Sequence, residues 1–270
     1  MSEIVTTCGV SGNDDRYTRA MLSRKLNLAW LIMSLAFCPL AGAHLASELA
    51  DLAARVDFGF YSEEHAVIRA ARNSLAQMSG QDAMIHYYRA YAAFRSAQLM
   101  ALAGQPIDRM LDECVESSTQ AAKRNSAFAD AWILLAACAT LGTQRAPLKA
   151  LLHNRRFEQS LGKAQELDVS NPRIALVRAW NTSDNPAWAG SPVQTAAAEQ
   201  LQLAVDAFRT QSGGNSLPDW GGVEAIAQLA ALYLQHGDVR KARDLIEESL
   251  LSVPEYSFAL RLKEKLLTIE

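Results

Sequence analysis

From Leu45 to the C-terminus, apolar residues recur three and four positions apart, and Gly, Pro, Asn or Asp interrupts the pattern every 12 to 20 residues. That period is the signature of one face of a helix, and no stretch alternates as a half-buried strand does. Composition agrees: 46 Ala and 35 Leu stand against 14 Gly and 8 Pro in 270 residues, which favours helix and disfavours sandwiches, barrels and collagen-like chains. Half the residues are apolar, enough to bury a sizeable core, so general disorder is excluded. The spacing predicts helices over 45–56, 63–78, 82–103, 107–124, 128–141, 154–168, 173–182, 194–211, 221–236, 239–252 and 256–268. Short turns between them imply antiparallel neighbours.

The N-terminal stretch is of a different kind. Arg16, Arg19, Arg24 and Lys25 precede an uncharged run from Leu26 to Leu40, which ends in Ala41, Gly42 and Ala43. A basic region, an apolar segment and small residues are the layout of an export signal, with cleavage expected between Ala43 and His44. Residues 1–43 are then a signal peptide and 44–270 a single helical domain, expected in the periplasm. Met21 would give a more ordinary basic region if translation starts there. Left uncleaved, Leu26–Ala43 is just long enough to anchor in a bilayer; after cleavage no stretch is apolar enough to span one.

A repeat emerges at the C-terminal end. From Val223 to Tyr256 a helix–turn–helix unit of 34 residues can be laid down without a gap. Ile226, Leu229, Ala230 and Tyr233 face inward on its first helix, and Ala242, Ile246 and Ser249 on its second. Gly237-Asp238 makes the turn, Gly237 as the left-handed C-cap residue and Asp238 as the cap of the next helix, and Pro254 ends the unit. Ala230 and Ala242 allow close helix approach, while Leu229, Tyr233 and Ile246 fill space between neighbouring pairs. Trp132, Leu135, Ala136 and Ala139 occupy the corresponding places upstream, with Asn171-Pro172 closing the following helix; about twelve residues, Thr143 to Asn154, are inserted there. Tyr87, Tyr88, Tyr91 and Ala92 open a still earlier unit, followed by Pro106-Ile107-Asp108 and a helix carrying Cys114 and Ala121.

These residues resemble the tetratricopeptide repeat (TPR) family, in its exported bacterial form with degenerate, unequal repeats. The match is closest over 223–256 and looser over about 82–222. The resemblance implies an all-α fold, a TPR-like right-handed helical solenoid of antiparallel helix pairs. It implies a concave side, lined by first helices, that binds a peptide or protein helix, and it implies no reaction.

Chemistry is not apparent in the motifs. His44, His65, His86, His153 and His236 have no His-x-x-x-His spacing, and Cys114 and Cys138 have no Cys-x-x-Cys companion, so no metal or other cofactor is expected. Ser212-Gly213-Gly214-Asn215 lacks the lysine of a phosphate loop and reads as a linker, and no Gly-x-Ser-x-Gly elbow occurs. A formal net charge of −3 with 20% charged residues gives no basic footprint for nucleic acid. The 24-residue separation of Cys114 and Cys138 puts them on neighbouring antiparallel helices, where a bridge is possible, although two small buried core thiols are the simpler expectation. Trp188, in the Pro/Gly loop Thr182–Gln194, and Trp220 are expected to tuck over the core rather than form a binding lip.

The function expected is a non-catalytic scaffold or adaptor for a protein or peptide of the cell envelope, with a small-molecule or lipid carrier as the alternative. An open polar groove would favour the first and an enclosed apolar tunnel the second. The groove positions expected are Tyr88, Arg95, Gln98, Arg178, Asn181, Gln228 and Gln235, polar or aromatic places on first helices that the core pattern leaves free.

Overall fold

A computed structural model describes residues 38–145, 150–183, 192–211 and 218–269 of the chain. Eleven helices occur among them and no strand: α1 (Cys38–Tyr61), α2 (His65–Gln77), α3 (Ala83–Leu102), α4 (Asp108–Arg124), α5 (Ala129–Arg145), α6 (Ala150–Leu167), α7 (Pro172–Ser183), α8 (Pro192–Thr210), α9 (Gly222–Gln235), α10 (Val239–Ser252) and α11 (Ser257–Leu267). The chain divides into two units within α1, residues 1–48 and 49–270. In the first, residues 38–48 are helical and the His44 imidazole stands 4.0 Å from the Glu48 carboxylate. The signal-peptide segment lies almost wholly outside the described residues, as do Trp188 and the linker 212–215. The second unit carries everything that follows.

Its helices pack in consecutive pairs, α3 with α4, α5 with α6, α7 with α8 and α9 with α10. Each pair leans on the next: α3 touches α5, α5 touches α7 and α9 touches α11, while α4 meets α5 and α8 meets α9. This is the TPR-like stacking of antiparallel pairs. Alanine permits it, because Ala131, Ala136, Ala139, Ala225, Ala230 and Ala242 are wholly buried where helices approach closely. The repeat read from the sequence has the expected punctuation. Gly237 takes φ 80°, in the left-handed region, and the Asp238 carboxylate accepts from the Lys241 amide at 3.3 Å. Asp82 caps α3 in the same way, accepting from Met84 at 2.8 Å, and Asn171 accepts from the amide of Arg173 at 3.1 Å at the start of α7.

Three sequence expectations are corrected. The Thr143–Asn154 insertion is not a loop hanging between helices. Instead, α5 continues to Arg145 and α6 begins at Ala150, so the extra residues lengthen the hairpin. Gly142 explains why: a Cβ there would lie 2.5 Å from ring atoms of buried His153, so the glycine lets α6 approach the extended end of α5. Secondly, α1 runs on to Tyr61 rather than ending near residue 56. Phe60 and Tyr61 extend the packed face of Val56 while Phe58 is exposed, and a Cβ on Gly59 would be 2.8 Å from Ile68 of α2. The turn that follows is held by Glu63 at φ 60°.

Thirdly, Cys114 and Cys138 form a disulfide joining α4 to α5, their Cα atoms 6.2 Å apart, in place of the two free thiols expected. Helix periodicity places both on the shared face but does not reveal that their Cβ atoms meet. A cross-link closing a loop of this length constrains the unfolded chain by about 3 kcal/mol. Reduction, or the double replacement Cys114→Ala and Cys138→Ala, is expected to lower unfolding free energy by that amount in urea titrations. An unchanged midpoint would mean that the bridge does not form.

The core contains an aromatic stack. Tyr91, Trp220 and Trp180 stack in sequence, with ring centroids 5.9 and 6.0 Å apart, and Phe94 lies 5.9 Å from Trp180. The two ends of the unit also meet. Tyr61 of α1 packs edge-on against Tyr256 at 4.9 Å, in a buried cluster with Ala227 of α9 and Ala259 of α11.

Candidate functional site

The first helices converge on a floor of buried polar groups. Arg95 of α3 is 0% exposed and Glu224 of α9 is 1% exposed; the guanidinium pairs with Glu224 Oε1. The other carboxylate oxygen of Glu224 accepts from the Tyr61 hydroxyl at 2.9 Å and from the Gly221 amide at 3.0 Å, closing the first turn of α9. Arg95 Nε donates to the Tyr91 hydroxyl at 3.0 Å, and that hydroxyl donates to Asp57. The guanidinium carbon lies 4.0 Å from the Phe60 ring centroid, a cation–π contact. Four elements, α1, α3, α9 and the segment before α9, are thus tied at one point by charge-assisted hydrogen bonds.

Asp57 is the member of this network that titrates near neutrality. Burial pushes its carboxyl up to about 7, against the attraction of Arg95 and the Tyr91 hydrogen bond, with Glu224 and Asp219 adding repulsion. The folded chain therefore takes up a proton that the unfolded chain releases near pH 4. The associated stability is complete below that pH and is lost as pH rises through about 7. Asp57→Asn is expected to remove this dependence, so that the variant gains on the native chain by as much as about 1.4 kcal/mol per pH unit across the window. Unfolding titrations of both chains between pH 4.5 and 8 test it, and parallel curves would contradict it.

Above the floor is a cavity of about 390 Å³. Phe94 and Gln98 of α3, Ala137, Thr140 and Leu141 of α5, and Trp180 of α7 line one side. Gln228, Ala231, Leu232 and Gln235 of α9 line another, and Tyr256, Phe258 and Arg261 close it from the C-terminal end. Phe60 and Glu63 from the end of α1 complete the wall. Arg261 and Glu63, about half-exposed, form an ion pair at 2.6 Å. The cavity is half open to solvent, its lining mixes apolar and polar surface, and its volume is that of a small-molecule site.

Of the seven positions expected from sequence, Gln98, Gln228 and Gln235 line this cavity. Arg95 and Tyr88 are not free groove positions, which corrects the expectation. Arg95 is locked under the floor, and Tyr88 is 2% exposed among Tyr87 and Tyr91, with ring centroids 5.2 and 6.3 Å away. For Arg95 the cause is the return of α9, Trp220 and the end of α1 onto α3, which buries a face that α3 alone leaves open. Arg178 donates to Gln165 of α6 at 3.2 Å; neither it nor partly buried Asn181 lines the cavity. Trp220 is buried as expected, its indole N–H donating to the Tyr87 hydroxyl at 2.6 Å. The sequence reading missed Phe60, Trp180, Tyr256, Phe258 and Arg261. The dense pairs Phe60-Tyr61 and Tyr256/Phe258 were the available signal, since aromatic residues crowding both ends of the unit suggest that the ends share a core.

A second crevice, between α2, α3 and α4, is polar. Its charges are largely engaged: Arg72 pairs with Glu113 at 2.5 Å, and Arg89 donates to the carbonyls of Leu75 and Met78 at the end of α2. His86 there is held below its ordinary pKa by burial and by Arg89 and Arg124. Among the described residues no cluster of His, Cys, Asp or Glu is arranged to hold a metal, and no helix is long and apolar enough to cross a membrane.

No family model and no curated protein matches the chain. Solved structures do. The HusA haemophore from Porphyromonas gingivalis superposes with a TM-score of 0.55 at 21% identity, over 70% of this chain and 93% of that one. A thermophilic TPR protein of Thermus thermophilus superposes with a TM-score of 0.50 at 16% identity, over 83% of this chain and 97% of that one. Stacked helix pairs and these likenesses together give the chain a TPR-like all-α solenoid fold.

Proposed function

We propose that this protein is a non-catalytic ligand-capture protein that holds an apolar small molecule in the cavity between its first helices. The observation that carries this reading is the form of the site: a half-open cavity whose wall includes the large apolar side chains Phe60, Phe94, Trp180, Leu232 and Phe258 beside a few polar groups. Burial of ligand surface against these rings supplies affinity. The likeness to a haemophore supports capture of a small molecule. Among the described lining residues there is no imidazole, thiolate or thioether, and burial raises the pKa of the Tyr256 phenol so that it stays protonated, so the ligand is defined by its apolar body. Residence in the periplasm after export agrees with the Cys114–Cys138 bridge, because disulfides persist in oxidising compartments.

A second reading, docking of a protein or peptide segment of the cell envelope, is supported by the likeness to a TPR protein. The Arg95–Glu224 floor narrows the space to a few side chains.

Ala231 lines the cavity from α9 and is partly buried, so Ala231→Trp fills it. Titration with N-phenyl-1-naphthylamine, whose fluorescence rises in apolar sites, is expected to show saturable uptake by the native chain. At least a tenfold loss is expected in Ala231→Trp, with an unchanged helical spectrum. Equal uptake by both would overturn the reading.

A further inference from the structure

We infer that the captured molecule carries a carboxylate on its apolar body, an inference that rests on the capture reading above. Two amides in the cavity wall have a fixed orientation. Gln98 Oε1 accepts from Arg95 Nη1 at 3.0 Å, and Gln228 Oε1 accepts from the Trp180 indole N–H at 2.6 Å. Guanidinium and indole N–H groups only donate, so neither amide can be turned over without setting donor against donor. Each carbonyl oxygen is therefore engaged and each Nε2 is the end left to the cavity that both side chains line. The Arg95 charge behind Gln98 polarises that amide and strengthens its N–H groups as donors.

The charged pair in the wall points the same way. The only acid among the described lining residues, Glu63, is already paired with Arg261, whereas the Thr140 hydroxyl, which spends its proton on the Ala136 carbonyl at 3.2 Å, is left as an acceptor. Arg261, about half-exposed, adds a guanidinium on the wall that an anionic ligand reaches by exchange with Glu63. An apolar-walled site offering amide and guanidinium donors, with its one carboxylate occupied, matches a ligand that accepts hydrogen bonds and bears negative charge. Opening the Arg261–Glu63 pair is common to both ligands, but an amine would leave both amide donors unpaired, at a cost in affinity.

The test uses three probes of equal chain length, decanoate, decan-1-ol and decylamine, displacing N-phenyl-1-naphthylamine from the full chain at pH 7.5. Decanoate is expected to compete roughly ten- to a hundredfold more strongly than decan-1-ol, with decylamine weakest. The double replacement Gln98→Glu and Gln228→Glu keeps the acceptors for Arg95 and Trp180 while turning both cavity-facing donors into acceptors. It is expected to reverse the order of decanoate and decylamine; a urea melt of the same variant confirms that it is folded. If decan-1-ol competes as well as decanoate, or the folded double variant keeps the native order, the carboxylate inference is wrong while capture stands. If the native chain takes up no dye at all, capture itself is overturned.

Discussion

Glu224→Ala is expected to destabilise the chain by about 3–5 kcal/mol, the cost of leaving a buried charge without its partner. The replacement strands the Arg95 guanidinium at 0% exposure and takes away the acceptor of the Tyr61 hydroxyl and of the Gly221 amide. Arg95→Ala is expected to cost a similar amount by stranding Glu224. The double variant leaves neither charge unpaired, so its loss should fall well short of the sum of the two. Urea unfolding of all four chains measures the coupling. Additive single losses below about 1 kcal/mol each, the range of an exposed pair, would show that the two do not meet in a closed interior. Arg95 is accordingly a structural residue: replacing it should loosen the fold rather than selectively release a partner.

Trp220→Ala is expected to cost about 3–5 kcal/mol, the range for emptying an aromatic core site. The ring is 2% exposed and stacks between Tyr91 and Trp180. Its N–H is bonded to Tyr87, and Arg173 lies over its face at 5.4 Å. Arg173 in turn donates to the Pro218 carbonyl at 2.6 Å and pairs with Asp130, so α5, α7 and the segment leading into α9 are fastened around this one side chain. Its loss should also weaken ligand uptake, because Trp180 of the cavity wall rests on it. Denaturation midpoints and dye titration of the same preparation separate the two effects. A loss below about 1 kcal/mol, the range of a surface substitution, would place Trp220 on the surface.

The fold was legible because its determinants are local. Periodicity at three and four, Gly237 before Asp238, and buried alanines in register are properties of one or two adjacent helices, and the structure reproduces them. The site was legible only where a residue faces the concave side at a level that stays open, as Gln98, Gln228 and Gln235 do. Arg95 and Tyr88 lie on the same helix with as strong a polar or aromatic signal. Arg95 is misplaced by periodicity because the groups that enclose it come from Glu224, over a hundred residues away in sequence, and from Phe60 of α1, and Tyr88 is buried beside Tyr87 and Tyr91. Helix periodicity assigns a face; it carries no information on which distant element returns to it. The disulfide was hidden for a related reason, since spacing fixes a helix pair but not the meeting of two Cβ atoms. The extended hairpin at Gly142 depended on the His153 ring, which no local rule associates with that glycine.

The claim that the cavity holds an apolar ligand is tested most directly by native mass spectrometry of the full-length protein recovered from its own cell. Native chain and Ala231→Trp should be measured in parallel. The account predicts a stoichiometric adduct of small-molecule mass on the native chain and its loss from the variant. A native chain carrying no small molecule, and recovered instead in stable complex with a second protein that Ala231→Trp also retains, would contradict it.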